Sequence, residues 1–191
     1  GILTKGGTQF VFIDTPGLHK PKTKLGEYMV KQVGDSVSDV DAAVLVTDIT
    51  VKEVSEADKS LISTFAARRL PAVLAINKID MVQDKARILE KILHYKDLYD
   101  FSAIVPVSAL NGEGIGELLA ELGKFAKDGP HFFDDDSYTD QPERVIAAEI
   151  IREKLLLNLY DEIPHGTAVV IESMKERPDA GLMDIEATIY C

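Results

Sequence analysis

Residues 71–80 read Pro-Ala-Val-Leu-Ala-Ile-Asn-Lys-Ile-Asp. An unbroken apolar run gives way at once to a charged loop, Asn77-Lys78-Ile79-Asp80. A short continuous run of this kind predicts a strand covered on both faces, as in a parallel sheet. The same form recurs on either side, at Ala42–Asp48 and at Phe101–Val107. Between these runs the apolar spacing changes to that of helices. Leu61, Ile62, Phe65 and Ala66 line one, and Ser55-Glu56-Ala57-Asp58 before it has the form of a capping box. Ile88, Leu89, Ile92 and Leu93 line another, and Ile115, Leu118, Leu119, Leu122 and Phe125 a third. Upstream, Leu25, Met29, Val33 and Val37 predict an earlier helix. Ile2–Lys5 and Thr8–Asp14 are extended runs about Gly6-Gly7, a hairpin signal. Regular alternation of strand and helix predicts an α/β fold, a doubly wound and mostly parallel sheet. Ligands on such sheets sit at the carboxyl ends of the strands.

The alternation stops at Asp128–Pro142, where Gly-Pro, Phe-Phe, three aspartates and a final Pro read as a linker. Val145, Ile146, Ile150, Leu155, Leu156 and Leu159 then predict a long helix ending near Asp161, with strands at Thr167–Glu172 and Asp184–Tyr190. The expected organisation is a first domain over residues 1–129, a linker over 130–142 and a second domain over 143–191. One helix and a hairpin bury too little surface to stand alone, so the second domain is expected to be incomplete.

Composition narrows the classes. The chain has 191 residues, 46% hydrophobic and 28% charged, which excludes general disorder. No apolar stretch approaches the roughly 20 residues of a membrane-spanning helix. Cys191 is the only cysteine, so no intrachain disulfide forms, as suits a reducing compartment. No secretory signal opens the chain, which starts at Gly1. The net charge is −11, unevenly spread. Up to Pro130 there are 16 Lys and Arg against 18 Asp and Glu, and from His131 onward 5 against 14. The second part is unlike a nucleic-acid surface, since phosphate contacts need local cations.

Three loops at predicted strand ends carry chemistry. Asp14-Thr15-Pro16-Gly17 follows the strand Phe10–Ile13. Its carboxylate can reach the water shell of a phosphate-held Mg²⁺, and its glycine lets a backbone N–H approach a terminal phosphate. Alone, such a string makes an ordinary turn. In Asn77-Lys78-Ile79-Asp80, two carboxylate acceptors of Asp80 match the adjacent N1–H and N2–H₂ donors of guanine, a pair adenine lacks. Asn77 can tie neighbouring loops together, and the Lys78 stem can lie along the base. Ser108-Ala109-Leu110 lets a backbone N–H meet guanine O6 while the Ser hydroxyl stiffens the loop. Each string alone says little. Together, in order and each at a strand end, they have the context a motif needs.

These residues resemble the translation-factor-like class of small GTPases. Asp14–Gly17 looks like its phosphate-sensing motif, Asn77–Asp80 its guanine-specificity motif and Ser108–Leu110 its base-cradling motif. The fuller string Asp14-Thr15-Pro16-Gly17-Leu18-His19-Lys20-Pro21 is similar to the Era-type family of bacterial ribosome-assembly GTPases. Glu149-Ile150-Ile151-Arg152-Glu153-Lys154, then Glu162-Ile163-Pro164-His165 before a strand, resembles the opening of that family's type II KH domain. The resemblance implies a P-loop GTPase fold followed by the first half of an α+β KH domain. It implies a GTP-hydrolysing switch, working with Mg²⁺, that binds small-subunit (16S) ribosomal RNA and assists 30S assembly. It also implies a cytoplasmic monomer with possible peripheral attachment to the inner membrane face, although no anchor is visible.

Two family features do not occur. No Gly-x-x-x-x-Gly-Lys-Ser/Thr phosphate cradle is present, and no Gly-x-x-Gly loop follows the last strand. Both ends are therefore expected to be cut off, and a chain so cut to bind GTP poorly and RNA hardly at all. Leu18 stands where Ras-like enzymes place a water-orienting Gln, so the catalytic group stays unassigned. His19, His94, His131 and His165 lack zinc-ligand spacing, and Lys20, Lys22 and Lys24 read as a solvated basic loop. Two other readings stay open: a related GTPase of large-subunit assembly or tRNA modification, and a non-enzymatic RNA-binding scaffold that merely holds guanine nucleotide.

Overall fold

The computed structural model describes residues 1–13, 40–158, 167–177 and 181–190. The helix expected around Leu25–Val37 and the loop Asp14–Leu18 lie outside them. The chain divides into two compact units, residues 3–136 and residues 137–191 with Gly1–Ile2. The boundary falls inside the stretch read as a linker.

In the first unit, β1 (Ile2–Lys5) and β2 (Thr8–Val11) form a hairpin through Gly6 and Gly7, both with positive φ. Three strands, β3 (Ala43–Asp48), β4 (Ala72–Asn77) and β5 (Ala103–Pro106), pair in parallel in the order β3-β4-β5. Alternate side chains of a strand face opposite ways, and β4 carries both halves of the core this way. Leu74 and Ile76 enter one cluster with Leu45, Ile62, Phe65 and Tyr95, beneath α1 (Glu56–Arg68) and α2 (Lys85–Lys96). Val73 and Ala75 enter a second with Val105 and Val107, against Ile115, Leu118 and Leu122 of α3 (Ile115–Gly123). Helices thus cover both faces. Val73, Leu74 and Ile76 have no exposed surface at all, and each such burial is worth about 1.5–3 kcal/mol.

Local signals account for the helix starts. Ser55 Oγ accepts the Asp58 N–H at 3.0 Å, and Asp84 caps α2 by accepting from Ala86 N–H at 2.8 Å. One expectation is modified. The apolar run of β3 suggests the same complete burial as β4, yet Val46 is 59% exposed. Its neighbours Leu45 and Thr47 are 3% and 7% exposed, so the openness belongs to one face of β3: alternate side chains point opposite ways, and the described residues leave the face that carries Val46 uncovered there.

A polar network lies under the β3 end of the sheet. Tyr95, fully buried, shares a hydrogen bond with Thr47 Oγ1 at 2.8 Å and donates to Asp58 Oδ2 at 2.6 Å. Lys91, only 4% exposed, donates to the Val51 carbonyl at 2.6 Å. Burial pushes the Lys91 ammonium below the usual lysine range.

Residues 131–135 fold onto the β1–β2 hairpin. Gln9 acts as an amide partner: its Oε1 accepts from the Phe132 and Phe133 N–H groups at 2.9 and 3.0 Å, and its Nε2 donates to the Phe133 carbonyl at 2.9 Å. Beside it, His131 Nδ1 meets Asp135 Oδ1 at 2.5 Å and Nε2 meets the Gly7 carbonyl at 3.2 Å. Both partners are acceptors, so only the imidazolium, with two N–H donors, satisfies both. Asp135 first and the Gly7 carbonyl second raise the His131 pKa above its ordinary 6.5. A raised folded-state pKa means that the clasp contributes fully below about pH 6.5 and is lost as pH rises through the raised value. An NMR titration of the His131 ring should therefore give a midpoint above 6.5. A midpoint at or below that value would mean that the two contacts do not hold together in solution.

The second unit contains α4 (Glu143–Asn158), β6 (Ala168–Arg177) and β7 (Leu182–Tyr190), the last two an antiparallel pair with an irregularity between Ile171 and Ser173. No helix among the described residues is long and apolar enough to cross a membrane.

Candidate functional site: a socket at the strand ends

Parallel register brings the loops together. Asp48 pairs with Asn77 across β3 and β4, and Ile76 with Pro106 across β4 and β5, so the three strands end side by side. The segments Asp48–Val51, Asn77–Asp80 and Ser108–Leu110 all leave from this edge. Their backbones are stitched as well: Ile49 N–H donates to the Asn77 carbonyl at 3.0 Å and Ile79 N–H to the Val107 carbonyl at 3.3 Å.

Asn77 joins two loops through a single oxygen. Its Oδ1 accepts from Lys78 N–H at 2.8 Å and from Ala109 N–H at 3.0 Å. The first bond favours the left-handed conformation of Lys78 (φ 67°, ψ 35°), uncommon for a residue with a side chain. That conformation turns the chain into the 3₁₀ turn Ile79–Met81, which carries Asp80. Ser108, wholly buried, donates from Oγ to Asp80 Oδ1 at 2.5 Å and accepts from Asn111 N–H at 3.2 Å. The hydroxyl therefore stiffens its own loop and orients the Asp80 carboxylate, which retains lone pairs on both oxygens and faces solvent. Ala109 and Leu110 are exposed beside it, Leu110 at 85%.

The arrangement is an acceptor pair, an adjoining loop with small side chains and a lysine stem, all at the carboxyl edge of a parallel sheet. Such a socket can take a planar base with two neighbouring donors. Of the expected residues, Asn77, Lys78, Ile79, Asp80, Ser108, Ala109 and Leu110 converge here; Asp14, Thr15, Pro16, Gly17 and Leu18 lie outside the described residues. Asp48 escaped the sequence reading. Its Oδ2 lies 2.6 Å from Lys78 Nζ, so the lysine head is paired and does not simply extend into water. The only local signal was an aspartate closing an apolar run, which equally well marks a strand end. The described residues contain no cluster of three or more metal-ligating side chains.

Comparison with known proteins agrees with this geometry. The family described as elongation factor Tu GTP binding domain matches residues 3–128. GTPase Era of Ruminiclostridium cellulolyticum is 46% identical over 191 residues, which is 100% of this chain and 63% of that protein. GTPase Era of Clostridioides difficile is 43% identical, over 100% of this chain and 64% of that protein. The chain thus spans just under two thirds of the length of these curated relatives. Among solved structures, a tyrosine-to-alanine variant of Aquifex aeolicus Era bound to GDP·AlF₄⁻ superposes with a TM-score of 0.85. It is 30% identical and covers 99% of this chain and 64% of its own. Era in complex with MgGDPNP and a stretch of 16S ribosomal RNA gives a TM-score of 0.83 at 30% identity, with the same coverage.

Proposed function

Since the chain belongs to the family of the elongation factor Tu GTP binding domain, we propose that it is an Era-type GTP-hydrolysing switch acting on small-subunit ribosomal RNA. The observation that carries the reading is the pair of hydrogen bonds that Asn77 Oδ1 accepts from Lys78 and Ala109, together with Ser108 on Asp80. These contacts pre-form a socket whose carboxylate, with a lone pair left on each oxygen, suits the adjacent donors of guanine and no other common base. By its sequence, Asp14–Leu18 would be the motif that serves the phosphates. There the Gly17 N–H would read the γ-phosphate, and Asp14 would approach Mg²⁺ through water. An oxygen donor of that type fits the ion, which supplies charge neutralisation to the phosphates when bound.

In this reading, residues 143–191 are the first half of a type II KH domain, and they take no part in gripping RNA by charge. The 16S rRNA and 30S partners, a cytoplasmic location and peripheral membrane contact belong to the same proposal, supported by kinship with the Era proteins. Its test is competition binding on the full-length protein. GTP and GDP should displace a fluorescent GDP while ATP does not, and GTP-loaded protein should retain 16S rRNA on a filter better than the GDP form. Equal displacement by ATP would remove the guanine socket and the switch with it.

A further inference from the structure

We propose that Asp48 is a positioning residue of the guanine socket, holding the Lys78 side chain in the pose that shelves the base. This inference rests on the guanine reading of the site. Asp48 belongs to none of the three loops that define that reading, yet it closes the socket on its β3 side. Both of its carboxylate oxygens are engaged. Oδ2 pairs with Lys78 Nζ at 2.6 Å, while Oδ1 accepts from both the backbone N–H and the hydroxyl of Thr50 at 2.7 Å each. Lys78 first and Thr50 second pull its pKa down to about 2, so it stays charged across the physiological range.

The carboxylate is itself anchored. Strand register sets Asp48 opposite Asn77, and the loop after it is tied to α2 by the buried Lys91 ammonium on the Val51 carbonyl. A lysine stem carries substantial rotamer freedom, and ordering such a side chain during binding opposes the association. With Asp48 in place that ordering has already occurred in the folded protein. Without it, the nucleotide must order Lys78 on arrival.

The test is a double-mutant cycle between Asp48→Asn and Lys78→Met on the full-length protein, read as the Kd of a fluorescent GDP. The first change is conservative because an asparagine keeps an acceptor for Thr50, and the methionine keeps an apolar stem without the ammonium. With Lys78 intact, Asp48→Asn should weaken GDP binding about three- to tenfold. With Lys78→Met already present, the same change should do almost nothing, since no charged head remains to hold. Equal losses in both backgrounds would make Asp48 a support of the loop and overturn the inference. So would an unchanged Kd in the single variant. Failure of the underlying reading looks different: the wild-type protein would then bind ATP as well as GDP before any substitution is made.

Discussion

Asp80→Asn is expected to reverse the base preference, with XTP displacing GTP as the better ligand. The carboxylate offers acceptors on both oxygens, and Ser108 Oγ, 2.5 Å from Oδ1, fixes its orientation without exhausting them. In the variant one acceptor becomes an NH₂ donor, which then faces a guanine donor. A charge-assisted pair is lost and a mismatch created, at about 2–4 kcal/mol, or roughly 30- to 1,000-fold in GTP affinity. Xanthine carries a carbonyl oxygen where guanine carries its amino group, so the same amide pairs with it. Simple loss of all nucleotide binding would point to a collapsed loop, and an unchanged ranking of GTP over XTP would remove Asp80 from the socket.

Gly114→Ala is expected to destabilise the first unit by about 2–5 kcal/mol. Gly114 opens α3 with φ +75°, a conformation costly for any side chain. A Cβ there would also stand 2.2 Å from the Pro106 carbonyl oxygen and 3.1 Å from Val107 Cγ1. The first contact is with backbone, which cannot swing aside as a side chain does. Relief would require moving either α3 or the end of β5, from which Ser108 emerges. The bridge between Ser108 N–H and the Glu113 carbonyl, 2.9 Å, binds the two together, so the Ser108–Leu110 loop should loosen as well. Gly112→Ala is the control. Its φ of +76° carries the same backbone penalty, but nothing lies within 4 Å of the added carbon. Urea denaturation should show a clearly larger loss for position 114, and similar losses at both positions would mean that the β5–α3 junction yields easily.

Much of the architecture could be read from local pattern. The apolar runs at 42–48, 71–76 and 101–107 correspond to the strands Ala43–Asp48, Ala72–Asn77 and Ala103–Pro106, and the capping signal at Ser55 does start a helix. Position 46 shows the limit. Val46 sits in a run as apolar as the one containing Ala75, yet it is 59% exposed where Ala75 is 1%. Leu45, next to Val46 on the same strand, is 3% exposed: a hydrophobic run reports that a strand forms, whereas burial depends on what covers each of its two faces.

The sequence by itself determined the alternation of strand and helix and the identities and order of the motif loops, because these are encoded in contiguous residues and in periods of two or 3.6. Only the tertiary structure decided which side chains complete the socket. Asp48 meets Lys78 thirty positions away because parallel register sets it opposite Asn77. Ser108 reaches Asp80, and Asn77 reaches Ala109, because β4 and β5 end at one edge. Lys91, on an exposed-looking charged helix, is buried because α2 lays it beneath the Val51 carbonyl. Each of these pairings joins residues far apart in the chain, and no local spacing specifies a distance across a sheet.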